Sequence, residues 1–285
     1  MTKVLLLGSD GLLGSCLEVS LSEDSDLNLI TTAKKVSADH QFTYSPVNLR
    51  KLIREIRPNI VINCIAVTSP KNSIRATFIT NSILPIHLAL LSIAYKFKVI
   101  HFGTNAVFSG RRVNNYETSA PAPKSIYEIT KLVGDLSCFK NLVIRTSFIG
   151  SSPNSSINSG LVFRLQNLEK DMKFEIIDDY TWNGVTTDVL CEMVLGIIKN
   201  NTNIRGLIHL GCKNSLRRHS LIDSLLTILH RKDIEITANV SERPRNLTLR
   251  TRKIQLVSAL WSYSSFPEIP DIHELLKQMK IYKYK

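Results

Sequence analysis

The chain has 285 residues, enough for one large domain or two modest ones around a substantial core. Its 44% hydrophobic and 21% charged residues exclude a disordered or fibrous chain. A formal net charge of +12 favours anionic partners, but the basic residues are scattered and no nucleic-acid motif accompanies them, so no nucleic acid is expected.

In chain order, a buried-strand run at Lys3–Leu7 leads into Gly8-Ser9-Asp10-Gly11-Leu12-Leu13-Gly14, then into helical spacing through Leu13, Cys16, Leu17 and Leu21. Three glycines between a strand and a helix suit a dinucleotide turn: one permits the tight bend, the next lets backbone approach the pyrophosphate, and the last allows close helix packing. The helix N-terminus then faces the phosphates. Val4–Leu7 is too short for a signal-peptide core. The longest apolar candidate, His87–Ile100, is broken by Lys96 and Lys98 and falls short of the roughly 20 residues of a membrane span; a cytoplasmic location is expected.

The second strand is expected to end near Thr31-Thr32, where NAD-specific folds offer a carboxylate to the adenine ribose. Lys34 and Lys35 stand there instead; they suit the 2′-phosphate of NADP, and a solvated loop explains them almost equally well. A helix carrying Leu49, Leu52, Ile53 and Ile56 stops at Pro58, and Ile60–Cys64 is a continuous apolar strand of the kind covered on both faces. Ile65-Ala66-Val67-Thr68 is its small-residue exit, close to where a cofactor would lie. Another helix carries Leu84, His87, Leu88 and Leu91, and Lys98–Phe102 is the next strand. The alternation predicts an α/β fold, a Rossmann-type doubly wound parallel sheet with ligands at the carboxyl ends of its strands, where Thr104 sits.

Ile126, Ile129, Leu132, Val133 and Leu136 predict a helix that projects Tyr127 and Lys131 from one face. An ammonium there would lower the phenol's pKa and make it a usable acid near neutral pH. Two such residues four apart arise by chance in many helices, so the weight falls on what surrounds them.

Gly103-Thr104-Asn105-Ala106-Val107-Phe108-Ser109-Gly110, Tyr116-Glu117, Tyr127-x-x-x-Lys131 and Arg145-Thr146-Ser147-Phe148 together resemble the extended short-chain dehydrogenase/reductases, most closely their dTDP-4-dehydrorhamnose reductase branch. Asn81-x-x-x-Pro85, Gly206–Leu210 and Arg243-Pro244-Arg245-Asn246 extend the similarity over nearly the whole chain. The resemblance implies NADPH-dependent reduction, with NAD as the other cofactor, of the 4-keto group of a nucleoside-diphosphate deoxysugar, for surface polysaccharide synthesis. It implies Tyr127 as proton donor, Lys131 as the nicotinamide-ribose ligand and Thr104 as the hydrogen-bond partner of the carbonyl. It places Gly8, Asp10, Gly11, Leu12, Leu13, Lys34, Ala66, Val67 and Thr68 at the cofactor, and Asn105, Phe148 and Arg243 at the substrate. Residues 1–150 would hold the dinucleotide and 151–285 the sugar nucleotide in a smaller α/β domain, with 206–211 returning to the sheet. A homodimer is the assembly the resemblance admits. Two other readings stay open: a catalytically silent, dinucleotide-binding regulatory subunit, and an epimerase that retains its cofactor.

The departures also inform. Dehydratases of the superfamily carry Asp-Glu after the Thr; Asn105-Ala106 cannot ionise, which favours simple reduction. Ser69-Pro70-Lys71-Asn72-Ser73 replaces an acidic stretch that binds metal in some relatives, and no metal is expected. Five scattered cysteines without a C-x-x-C read as reduced and mostly buried. Ser151–Gly160 reads as a polar flap or linker, Asp178-Asp179 as turn or pocket residues, and Thr187 onward as a helix capped by Thr186 or Thr187. His87, His101 and His209 lie in apolar patterns and read as structural.

Overall fold

Strands whose apolar runs have no polar face can only be satisfied between two layers, and the chain builds such a sandwich. The computed structural model describes residues 1–34, 38–68, 73–137 and 141–282, with the side chains of residues 136, 137 and 243 left aside. Its strands are β1 (Thr2–Leu7), β2 (Leu27–Ala33), β3 (His40–Gln41), β4 (Ile60–Asn63), β5 (Lys98–Thr104), β6 (Leu142–Thr146), β7 (Phe148–Ile149), β8 (Lys173–Trp182), β9 (Val185–Thr186), β10 (Gly206–His209), β11 (Leu216–Arg217) and β12 (Glu235–Asn246). Seven of them pair in the order β10-β6-β5-β4-β1-β2-β3, all parallel. The order reverses at β1, so the turn after β1 opens at the crevice where parallel sheets of this kind bind ligands. This is the expected doubly wound Rossmann-type fold.

Alternate residues of β1 serve different cores. Val4 and Leu6 join Leu13 and Leu17 of α1 (Leu12–Ser22), whereas Leu5 and Leu7 pack with Leu49, Leu52 and Ile53 of α2 (Pro46–Ile56). Burying each such side chain stabilises the fold by roughly 1.5–3 kcal/mol. Helix α3 (Ile74–Phe78), a π-helical turn at Ile79–Ile83 and α4 (Leu84–Tyr95) run on as one rod. By length and composition this rod could cross a membrane, but Leu84, Leu88 and Leu91 lie in the second core against the sheet.

The helix predicted around Tyr127 forms as α5 (Ile126–Ser137), with polar residues on its most buried face. Ile129 is 46% exposed and Leu132 packs on Val107 and Phe108, while Glu128, Thr130, Lys131 and Asp135 are buried. The apolar spacing is real; charge pairing beneath the helix decides which face turns inward.

Beyond β6 the remaining helices are α6 (Leu161–Gln166), α7 (Thr187–Lys199), α8 (Arg218–Ile228), α9 (Ile254–Trp261) and α10 (Ile272–Lys277). Strand β10 pairs with β6, while β11, β8 and β12 form a separate sheet with β8 central. Asp178 and Asp179 lie inside β8, where no turn occurs. Arg217 Nε meets Asp178 Oδ2 at 2.7 Å, and Arg218 pairs with Asp179 at 3.2 Å, so strand register accounts for both acids. Thr186 occupies the N-cap position of α7 without a side-chain bond; the early carboxylate Asp188 instead accepts from the Lys280 amide.

Candidate active site

The carboxyl end of β5 is shaped by Thr104, whose Oγ1 accepts from the Ala106 amide and starts a 3₁₀ turn at Asn105–Val107. Facing it is the first turn of α5. Ser125 Oγ accepts from the Glu128 amide, and Glu128 Oε2 accepts from the Ser125 and Lys124 amides, a reciprocal cap that fixes where the helix begins. Arg245 of β12 locks this cap: Nη1 donates to Glu128 Oε1 at 3.1 Å, and Nη2 donates to the carbonyls of Ala106 and Phe108. The cap thereby sets Tyr127 beside Thr104.

The Thr104 hydroxyl is close enough to the Tyr127 phenol to lower its pKa. Burial pushes the phenol above its ordinary value; the Thr104 hydroxyl offsets this in part, and Asp135 and Glu128 add to the rise. The expected lowering by Lys131 is not present in this state. Lys131 is buried and donates to the Phe102 carbonyl at 2.6 Å, with His101 Nε2 3.5 Å from its nitrogen, so the ammonium is held toward the strand.

Two strands away, the Gly8–Gly14 turn fits a dinucleotide. Gly8 has φ +86°, where an L side chain would be strained, and a Cβ on Gly14 would stand 2.0 Å from the Gly8 carbonyl. At Gly11, by contrast, a Cβ would meet only the Gly8 oxygen at 3.5 Å, leaving room at the amino end of α1 for an anion. Leu12 and Leu13 open that helix, Leu13 buried in the core. Asp10 Oδ2 accepts from the Lys34 amide, drawing the exposed Lys34 beside the turn; Lys35 lies outside the described residues. Asp39, which the sequence reading overlooked, returns to accept from both the amide and hydroxyl of Thr31 at 2.8 and 3.0 Å. Ala66 and Thr68 are exposed at the end of β4, and Val67 between them is clamped by the Asn81 amide, which accepts from its N–H and donates to its carbonyl.

The substrate side is less uniform. Phe148 is half-buried in β7, whose partner is β9. Asn105 is buried, and its amide donates to the Leu247 carbonyl, so its side chain ties β5 to the C-terminal segment. The side chain of Arg243 and the segment 69–72 lie outside the described residues. Among the described residues no three His, Cys, Asp or Glu side chains form a cluster able to hold a metal ion. The expected flap begins as a docked segment: Ser151 and Ser152 are buried, and Ser152 Oγ lies 2.8 Å from Ser15 Oγ of α1.

The family model described as RmlD substrate binding domain matches residues 1–280. The chain belongs to the RmlD family. A dTDP-4-dehydrorhamnose reductase of Shigella flexneri is 25% identical over 281 residues, spanning 90% of this chain and 92% of that protein. The spore coat polysaccharide biosynthesis protein SpsK of Bacillus subtilis is 26% identical over 214 residues, 72% of each chain. Among solved structures, a dTDP-4-dehydrorhamnose reductase from Clostridium acetobutylicum aligns with a TM-score of 0.81 at 22% identity, over 98% of both chains. The Bacillus anthracis reductase, solved with NADP, gives 0.80 at 21% identity, also over 98% of both chains. At these identities the solved structures establish the RmlD family fold and leave the chemistry to the site.

Proposed function

We propose that the protein reduces the 4-keto group of a nucleoside-diphosphate deoxysugar with NADPH, as an oxidoreductase of nucleotide-sugar and polysaccharide synthesis. The observation that carries this is the placing of Thr104 at the carboxyl end of β5 against the first turn of α5, where its hydroxyl lowers the pKa of the Tyr127 phenol, with Lys131 one turn further along α5 and the glycine turn at the same carboxyl ends of the strands. The names of the relatives and the NADP in the Bacillus anthracis structure support the choice of substrate and cofactor.

In this reading Gly8, Gly11, Leu12 and Leu13 receive the pyrophosphate through backbone amides and the helix end. Asp10 and Lys34 border the adenosine, Ala66, Val67 and Thr68 line the middle of the cofactor, and Lys131 binds the nicotinamide ribose. Bound there, the reduced nicotinamide supplies the hydride. Thr104 orients the ketone oxygen, and Tyr127 donates the proton that turns the developing alkoxide into an alcohol. Phe148 and Arg243 are assigned to the sugar nucleotide, with residues 1–150 serving the cofactor and 151–285 the substrate. Asn105-Ala106 after Thr104 supplies no acid and base for elimination, so reduction is the end of the reaction.

The test follows NADPH absorbance with dTDP- and UDP-linked 4-keto-6-deoxy sugars. Wild type is expected to oxidise NADPH, and Tyr127→Phe to lose about 10²–10⁴-fold in kcat. NADPH binding without turnover on any ketone would overturn the reading in favour of a regulatory dinucleotide-binding protein.

A further inference from the structure

Helix α1 starts at the glycine turn with Gly11 in the N-cap position and no side-chain bond to cap it. Such an end leaves its first amides for an anion, but it also lacks the local bond that usually fixes where a helix begins. The hold on α1 comes instead from the segment that follows β7. Ser15 Oγ donates to the Leu12 carbonyl at 3.0 Å and lies 2.8 Å from Ser152 Oγ, and both serines are buried. Cys16 Sγ donates to the Ser151 carbonyl at 3.5 Å. At the far end of the segment, a Cβ on Gly160 would stand 3.2 Å from Leu12 Cδ2. Residues 151–160 therefore meet the start of α1 with both their ends.

This segment is held in its turn by a stretch far away in the chain. The Ser151 hydroxyl, on a residue 3% exposed, accepts from the Tyr282 amide at 3.1 Å and donates to the Tyr282 carbonyl at 3.3 Å. That carbonyl also accepts from Gln166 Nε2 of α6 at 3.1 Å. Residues 279–282 have their own anchors. Met279 is buried in the same core as Leu13 and Leu17, Ile281 packs against it, and between them the Lys280 amide donates to Asp188 of α7 at 3.0 Å. A hydroxyl that closes a ring with the N–H and C=O of one residue fixes the spacing of two backbones; alanine in its place leaves both groups without that partner.

We propose that Ser151 and Tyr282 are positioning residues for the dinucleotide: through residues 151–160 their hydrogen-bonded ring holds the first turn of α1 in place and so sets the affinity for NADPH. The proposal rests on the assignment of the Gly8–Gly14 turn to the cofactor. Released from Tyr282, residues 151–160 no longer brace Leu12 and Ser15, and the amides that receive the pyrophosphate lose their fixed spacing. By reciprocity, bound NADPH tightens the ring by the factor with which the ring tightens NADPH.

Ser151→Ala is expected to raise the dissociation constant for NADPH, followed by fluorescence without substrate, about tenfold. The KM for NADPH should rise alike, while kcat at saturating NADPH and the KM for the sugar nucleotide stay within about twofold of wild type. Tyr282→Pro, which lacks the donated N–H, should weaken NADPH binding in the same way. The double variant should bind no more weakly than either single one, because both changes break one contact. In the wild type, hydrogen exchange at the Tyr282 amide should slow about tenfold when NADPH is added. A folded Ser151→Ala that binds NADPH like wild type would overturn the proposal, as would additive losses in the double variant or a Tyr282 amide whose exchange ignores NADPH. A wild type that binds no dinucleotide would end the functional reading as well. Wild-type NADPH binding that depends on Ser151 without reduction of any sugar would sink the functional reading and leave this one standing.

Discussion

The residue on which the proposed chemistry turns is Tyr127, half-buried, its phenol held above the usual pKa chiefly by desolvation. Thr104 is the group working against the shift, because a hydroxyl donating to the tyrosinate favours the charged form. Thr104→Val should therefore push the phenol higher still. Since the proposed proton donor must be protonated, the alkaline limb of the kcat profile moves up in pH, while kcat itself falls about 10–100-fold as the ketone loses its partner. Thr104 also caps the Asn105–Val107 turn, so the valine variant should lose about 1 kcal/mol of stability. Thr104→Ser keeps the hydroxyl and its bond to the Ala106 amide and should restore both properties. A valine variant whose alkaline limb coincides with that of wild type would show that Thr104 does not tune the phenol.

At the scale of elements, the junction between β12 and α5 holds the site in register. Arg245 spends its guanidinium on Glu128 and on the carbonyls of Ala106 and Phe108, so one side chain joins the C-terminal sheet to the helix cap carrying Tyr127 and to the turn after Thr104. Arg245→Met should cost about 1–3 kcal/mol in urea unfolding and reduce kcat. Arg245→Lys should recover little, because a single ammonium cannot fork to three acceptors; full recovery by lysine would contradict this. The sequence shows five basic residues between Arg243 and Lys253 without showing which one turns inward, since that depends on a bulged pairing of β12 with β8 some 65 residues away in the chain. The glycine turn and the parallel strands were legible because they rest on local spacing. The buried polar face of α5 was not: Glu128, Lys131 and Asp135 look like a solvated stripe until Arg245, His101 and Arg145 are brought beneath them from other strands. His101 and His209 lie buried in the strands where the apolar pattern put them, but their partners were beyond the reach of a linear pattern.

For the whole molecule, the buried histidines make stability depend on acidity. Burial and the adjacent Arg145 push the His209 imidazole down to about 4, with Glu117 pulling the other way. Arg145 Nη1 donates to its Nε2, so the proton sits on Nδ1 and goes to the carbonyls of Asn115 and Arg250 at 3.0 and 3.1 Å. In the unfolded chain a histidine takes up its proton near pH 6.5. As the pH falls from about 6.5 to about 4 the unfolded state therefore binds the extra proton, and the native state loses on the order of 3 kcal/mol from this residue. The stability is fully present above that window and declines through it. His101, lowered in the same sense, adds to the decline, whereas Asp135, raised by burial, works against it because its protonation relieves a buried charge. Comparison with His209→Gln isolates the one residue, since glutamine can accept from Arg145 and donate to Asn115 without titrating. Urea unfolding at steps from pH 7.5 to 4 should show wild type losing stability faster than the variant below pH 6.5, their difference narrowing by about the amount above. A difference constant across the window would mean that His209 takes up its proton in the fold as readily as in the open chain, and that the Arg145 contact does not hold it neutral.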